Sequence, residues 1–401
     1  MPLRGRALMA GVTAACGMGF LLFGYDQGVM GGVIGSATFV KQFNNPTALQ
    51  QGLIVGLYDV GCLVGSLSAF FFSEPIGRKK SIYVGATVVI IGTILQVTAE
   101  TIGHLMAGRI VTGIGVGVNT AIVPTWQSEV APVKRRGQLV TIDAALIIAG
   151  LAIANWVSYG ASYATSSFQW RGPIAVQTIF AIYLLATVPF LVESPRWLAN
   201  HHSIEKATTV IAQLKGSSED DPDVIQTKLE IEMALEEEKS AGSWYEIFTH
   251  GGEQNFRRMM LGVVGLYMQQ MCGINSIGYY LPIILNEYVG LSESLSHILA
   301  SVGATQFFLA SLTPIWFIEK FGRRNCMIWG AFAQFICSIL TAVGLKLGTK
   351  AGLGLATAMY FLFYDAFAVS YLNVPWMYAP EINSLKMRAK GGAAASLYEC
   401  D

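Results

Sequence analysis

Apolar residues fall in long, nearly unbroken runs along this chain, not in the strict alternation of a half-buried strand or the narrow stripe of a surface helix. Ten runs reach the roughly 20 residues that a helix needs to cross a bilayer. They lie at 9–34, 50–73, 81–99, 104–124, 138–160, 173–192, 259–286, 295–318, 326–345 and 352–379. A buried helix in a large soluble protein accounts for one or two such runs, not for ten. Several are rich in small residues, as in Gly108–Gly117, which let helices approach closely within a membrane. The first run outlasts a signal peptide and contains Asp26, so it reads as a retained span. The pattern predicts an all-α membrane protein.

Composition supports this. Apolar residues make up 53% of the 401 positions and charged residues 13%, against about 25% charged in an average soluble domain. Too little charge remains to cover a soluble enzyme of this size. A net charge of zero and the lack of a long basic stretch argue against nucleic acid as a partner. The 6 Cys are scattered and form no Cys-x-x-Cys, so neither a disulfide framework nor a metal site is indicated. His201-His202 lacks further ligands nearby, and Gly113-Ile-Gly115-Val-Gly117 lacks the strand and spacing of a dinucleotide loop. No nucleophile-base set suggests an enzyme, and no cofactor is implied.

Charge sets the orientation. With the N-terminus and every second loop on the cytosolic side, that side holds 21 of the 26 Lys and Arg residues. Short loops enriched in these residues stay inside, so a cytosolic N-terminus is expected. Residues 193–258 differ from the rest, with 13 Asp and Glu and few long apolar runs. Ser203–Leu214 and Pro222–Lys239 have helical character there, with Val224, Ile225, Leu229 and Leu235 at helical spacing. This segment is expected to form a helical cytosolic linker (193–258) between an N-terminal six-helix bundle (1–192) and a C-terminal bundle (259–401).

The two bundles repeat one another. Glu74-Pro-Ile-Gly77-Arg78-Lys79 is echoed by Glu319-Lys-Phe-Gly322-Arg323-Arg324, and Glu129-Val-Ala-Pro-Val-Lys-Arg-Arg136 by Glu381-Ile-Asn-Ser-Leu-Lys-Met-Arg388. Basic loops alone are common, but two such pairs in register indicate a parallel internal repeat, as in transporters built from two related halves.

Further motifs mark the same frame: Phe23-Gly24-Tyr25-Asp26-Gln27, Gly108-Arg109, Glu193-Ser194-Pro195-Arg196-Trp197, Gln269-Gln270-Met-Cys-Gly273-Ile274-Asn275 and Val374-Pro375-Trp376-Met-Tyr378-Ala-Pro-Glu381. Together these resemble the sugar porter family of the major facilitator superfamily, with most likeness to fungal sugar and polyol carriers. The resemblance implies a carrier of a monosaccharide, whether hexose, pentose or related polyol, working by alternating access in the lipid bilayer of the plasma membrane. It implies proton-coupled symport; a facilitated uniporter and a non-transporting sugar sensor share the same fold. The family has twelve spans, of which ten full ones are expected here, with the C-terminal bundle incomplete. The family's fifth-span Gln is replaced by Ala144, beside Asp143, and the Gly-Pro before the tenth-span Trp is replaced by Leu372-Asn373.

Sugar hydroxyls both donate and accept hydrogen bonds, and amides match them. Gln269, Gln270 and Asn275 are therefore candidate substrate contacts. From spacing alone they serve equally well as polar links between helices; the resemblance favours substrate, with Trp376 as an aromatic or gating partner. Ionisable groups inside spans are costly and point to function. Asp26, Asp59, Arg109, Asp143 and Asp365 qualify, and the resemblance implies that Asp26 and Arg109 form a proton-coupling pair, a fixed structural ion pair being the alternative. It also implies a conformational charge network at the inner helix ends, made of Arg78, Glu129, Arg136, Glu193, Arg196, Glu319, Arg323, Glu381 and Arg388.

Overall fold

The computed structural model describes residues 4–131, 136–239 and 254–382, which form seventeen α-helices and, among the described residues, no strand. The helices are α1 (Arg6–Ile34), α2 (Ala37–Gln42), α3 (Ala48–Ile76), α4 (Arg78–Val97), α5 (Ile102–Val130), α6 (Arg136–Ser162) and α7 (Phe168–Thr187). Then come α8 (Pro195–His201), α9 (Ile204–Lys215) and α10 (Pro222–Lys239). The last group is α11 (Asn255–Met271), α12 (Ile274–Glu287), α13 (Glu293–Ser311), α14 (Pro314–Phe321), α15 (Arg323–Leu347), α16 (Lys350–Val369) and α17 (Val374–Ile382).

Side-chain caps start many of these helices where the apolar runs begin. Thr47 and Gln50 form a reciprocal capping box on α3, and Thr101, Ser203, Ser292 and Thr349 cap α5, α9, α13 and α16. Eight of the apolar stretches among the described residues are long and apolar enough to cross a membrane. The sequence-predicted runs at 259–286 and 295–318 are not continuous helices. The first breaks at Cys272-Gly273, where Gly273 takes φ 89°, a value that favours glycine. The second breaks at Leu312-Thr313, before Pro314, which lacks the N–H needed to continue a helix. The run at 352–379 is also divided, by a turn at 370–373 between α16 and α17.

The small residues of the apolar runs set the interhelical distance. A Cβ at Gly61 or Gly65 on α3 would lie 2.4 Å or 2.1 Å from the Ile110 or Ile114 carbonyl oxygen of α5. Gly113 and Gly117 on α5 return the contact, 2.2 Å from the Tyr58 oxygen and 2.1 Å from the Cys62 oxygen. Backbones meet directly along this seam, which any side chain would force apart. Large apolar side chains such as Phe70, Phe71, Phe190 and Trp329 stand exposed on the periphery, as expected for a surface whose solvent is lipid.

Helices α8–α10 dock on the end of the bundle that carries the N-terminus. Trp197 Nε1 donates to the Glu74 carbonyl at 2.6 Å, and the Gly5 N–H donates to the Gln213 carbonyl at 2.7 Å. Val224 is buried with Ile211 and Ala212, but Ile225 and Leu229 are exposed, so the shared face expected of α10 narrows to Val224 and the partly buried Ile231. At the opposite end, α1 meets α12 and α6 meets α13. A Cβ at Gly31 would stand 2.1 Å from the Tyr279 carbonyl oxygen, and Trp156 Nε1 donates to Thr305 Oγ1 at 3.0 Å.

Candidate functional site

A cavity of about 350 Å³ opens between α1, α3, α5 and α6 on one side and α11–α13, α16 and α17 on the other. Gln269, Gln270, Asn275 and Trp376 all line it. Four residues spread over 107 positions of sequence are thus brought together, in a volume that suits a small solute.

Helix breaks make this possible. Gln269 and Gln270 end α11, and Asn275 begins α12 beyond Gly273. In an unbroken helix, residues five apart point about 140° away from each other. Here Asn275 Nδ2 donates to Gln270 Oε1 at 2.9 Å. Gln269 turns to the other break: its Nε2 donates to the Tyr371 carbonyl at 2.8 Å and to the Leu372 carbonyl at 3.3 Å. These bonds satisfy carbonyls freed by the turn between α16 and α17. Gln269 Oε1 is buried and has no partner among the described residues. Gln269 therefore links helices through its nitrogen and leaves its oxygen for another donor. Trp376 packs on Val263 and Leu266 of α11, so its ring is held by apolar contact beside the amides.

Asp26 and Arg109 do not line the cavity; they lie together outside its wall. Both are buried, at 0% and 1% exposure, with Arg109 Nη1 4.0 Å from Asp26 Oδ1. Arg109 Nε donates to the Ile54 carbonyl at 3.1 Å, and its guanidinium sits 4.3 Å from the centre of the Tyr58 ring, a cation–π distance. Ile54 and Tyr58 are on α3, so the cation ties α5 to α3 as well as facing Asp26 on α1.

The charged motifs at the N-terminal end of the bundle form matching clamps. Arg78 holds Glu129 through Nε at 3.1 Å and Nη2 at 3.0 Å, with Nη1 reaching Glu74 at 2.8 Å. Arg323 holds Glu381 through Nε at 3.2 Å and Nη2 at 3.0 Å. Each clamp lies within one half of the repeat. Glu193 binds backbone, accepting from the Lys79 N–H at 3.2 Å and the Ser194 N–H at 3.0 Å. Burial lifts its carboxyl above the ordinary range, although those amides favour the charged form. Lys79 Nζ is bonded to the Pro189 and Leu191 carbonyls. Arg196, in the first turn of α8, is also engaged. The side chains of Arg136 and Glu319, and the whole of Arg388, lie outside the described residues.

The cavity wall also carries Gln27, Asp59, Thr120, Asp143, Tyr279 and Asn373. Sequence reasoning named Asp59 and Asp143 as costly in-span carboxylates and Leu372-Asn373 as a departure from the family pattern, but did not place them in the substrate site. The signal was present in their polarity within apolar runs. Which face each occupied required the fold.

A cavity lined by amides among helices long and apolar enough to cross a membrane has the character of a membrane transporter's binding site. The chain belongs to the sugar (and other) transporter family, which it matches over residues 11–399. It is 39% identical to MFS-type transporter oryC of Aspergillus oryzae, across 96% of this chain and 74% of that protein. It is 35% identical to the sugar transporter STL1 of Saccharomyces cerevisiae, across 98% of this chain and 71% of that protein. Among solved structures, the proton:xylose symporter XylE bound to 6-bromo-6-deoxy-D-glucose matches with a TM-score of 0.80 at 24% identity, covering 98% of this chain and 86% of that chain. The partially occluded inward open conformation of XylE from E. coli matches with a TM-score of 0.79 at 23% identity, covering 98% and 90%. At that identity the structures establish the fold. The protein is a multi-pass integral membrane transporter and not an enzyme.

Proposed function

We propose that this chain carries a monosaccharide, as hexose, pentose or related polyol, across the membrane by alternating access, coupled to protons. The observation that carries this reading is the cavity itself. Gln269, Gln270, Asn275 and Trp376 line it from α11, α12 and α17 and supply donors, acceptors and an apolar ring face for a polyhydroxylated solute, and α1, α3, α5 and α6 form the facing wall. The naming of STL1 as a sugar transporter and of XylE as a proton:xylose symporter supports it.

In this reading, residues 1–192 form one bundle, 193–258 a cytosolic helical linker and 259–401 the second bundle. Ten membrane passes result when α11–α12, α13–α14 and α16–α17 each count as one interrupted span. The Lys and Arg bias supports a cytosolic N-terminus, with the plasma membrane as the expected location. The α1–α12 and α6–α13 contacts then close the outer end, and the Arg78–Glu129 and Arg323–Glu381 clamps lie at the inner end. Asp26 and Arg109 form the coupling pair. A proton shifts a carrier only by binding its states unequally, and a buried carboxylate whose one paired cation among the described residues is 4.0 Å away provides that inequality as the helices move. Uptake of labelled hexoses, pentoses and polyols by vesicles containing the protein, with internal pH recorded, tests the reading. Saturable uptake with acidification of the receiving side is expected. Absence of uptake for every member of the panel overturns it, and uptake without proton movement reduces it to facilitation.

A further inference from the structure

Two polar groups on the cavity wall lie at departures from the family pattern: Asn373 belongs to the Leu372-Asn373 that replaces its Gly-Pro, and Asp143 adjoins Ala144, which replaces its Gln. Asn373 immediately precedes α17, a position where an Asn side chain ordinarily caps the helix by accepting from an N–H two or three residues on. It does not do so here. Asn373 is 2% exposed, and both Oδ1 and Nδ2 are buried without a partner among the described residues. It lines the cavity at the α16–α17 turn that Gln269 clasps. A buried amide left unpaired in this way is costly unless something in the cavity completes it.

Asp143 lines the same cavity from α6, in the other half of the molecule. One carboxylate oxygen accepts from Gln127 Nε2 at 3.1 Å, which orients the group. In its ionised form the carboxylate only accepts, which suits a solute that donates. Asp59 contributes a second carboxylate to the wall, and no Lys, Arg or His is among the described wall residues. The buried Arg109 nearby is held by Asp26, the Tyr58 ring and the Ile54 carbonyl. An anion entering this cavity would lose its water and find no compensating cation.

We infer that Asp143 and Asn373 are specificity-determining residues that contact the solute from opposite halves, and that they tune the cavity to neutral, hydroxyl-donating solutes while rejecting sugars that bear a carboxylate. The inference rests on reading the cavity as a sugar site and adds to it the two groups and the charge rule.

The test uses the full chain reconstituted in lipid nanodiscs and calorimetric titration with matched pairs: D-glucose against D-glucuronate, and D-sorbitol against D-gluconate. At least one neutral member is expected to bind, with its acidic counterpart about tenfold weaker or more. Asp143→Asn should shrink that ratio at least about fivefold. Asn373→Leu should weaken the neutral member by about tenfold; if that variant does not fold, Asn373→Asp, which keeps the acceptors and removes the donor, should weaken it and widen the ratio. Equal affinity within a pair, or a ratio unmoved by Asp143→Asn together with neutral affinity unmoved at Asn373, overturns the inference. When the neutral member still binds and that binding depends on Gln270, the sugar site survives and only this assignment fails. Binding of no member of either pair removes both.

Discussion

Asp26 Oδ1 and Arg109 Nη1 lie 4.0 Å apart in a fully buried setting, and neither atom has a hydrogen-bond partner among the described residues. The pair is close enough for strong attraction and loose enough to separate without breaking a bonded geometry. Its other anchors are asymmetric. Arg109 retains the Ile54 carbonyl and the Tyr58 ring, whereas neither oxygen of Asp26 has a hydrogen-bond partner among the described residues. The carboxylate is therefore the member whose charge depends on the conformation around it.

Substitution of this pair separates coupling from transport. Asp26→Asn imitates the protonated carboxyl and is expected to abolish accumulation against a gradient while leaving exchange down a gradient. Removing one partner of a buried pair also costs roughly 3–5 kcal/mol in comparable cases, so its thermal midpoint should fall. The double variant Asp26→Asn/Arg109→Gln should recover part of that loss. Counterflow assays and thermal unfolding in detergent check both arms; accumulation retained by Asp26→Asn would make the pair purely structural.

The two adjacent glutamines should behave differently. Gln270 bonds only Asn275 among the described groups, so Gln270→Ala should weaken sugar binding about tenfold, or about 1.4 kcal/mol, with little change in thermal midpoint. Gln269 holds two carbonyls of the α16–α17 turn, so Gln269→Ala should lower stability and affinity together. Titration and melting curves on the same preparations distinguish them. Identical effects from both substitutions would contradict the division of labour between linking and binding.

Glycine seams provide a stability test independent of transport. Gly113→Ala places a Cβ 2.2 Å from the Tyr58 carbonyl oxygen and should sharply lower the yield of folded protein. Gly56→Ala, on α3 with nothing within 4 Å, should be neutral or stabilising by roughly 0.5–1 kcal/mol, since alanine is the better helix former. Size-exclusion profiles and melting midpoints compare the two.

Orientation is checked by accessibility. In a background lacking Cys272 and Cys400, a cysteine at exposed Ser218 should resist an impermeant thiol reagent in intact cells, and one at exposed Lys41 should react. The reverse pattern inverts the topology.

The repeat was legible as text. Glu129 and Glu381 follow their Arg-bearing motifs by 51 and 58 residues, and the structure turns both into two-pronged clamps. The apolar runs likewise announced the long helices, though not the short α2 and α8, and Gln269, Gln270, Asn275 and Trp376 are recognisable by type and motif without the cavity in which they meet. The same text did not say that the runs at 259–286 and 295–318 are interrupted, nor that Gln269 spends its nitrogen on Tyr371 and Leu372.

What the sequence alone determined is therefore what membrane solvation imposes: the long apolar runs and the rarity of charge within them. In a soluble protein, polarity along a helix also reveals which face is buried. Here lipid and protein interior are both apolar, so that cue is absent, and Asp143 and Asn373 could not be assigned a direction. Only the tertiary structure decided it: the close approach of Gly24 on α1 to the Ile147 carbonyl and of Gly150 on α6 to the Leu21 carbonyl sets the rotation of α6 that carries Asp143, and the broken end of α16 places Asn373 at the cavity.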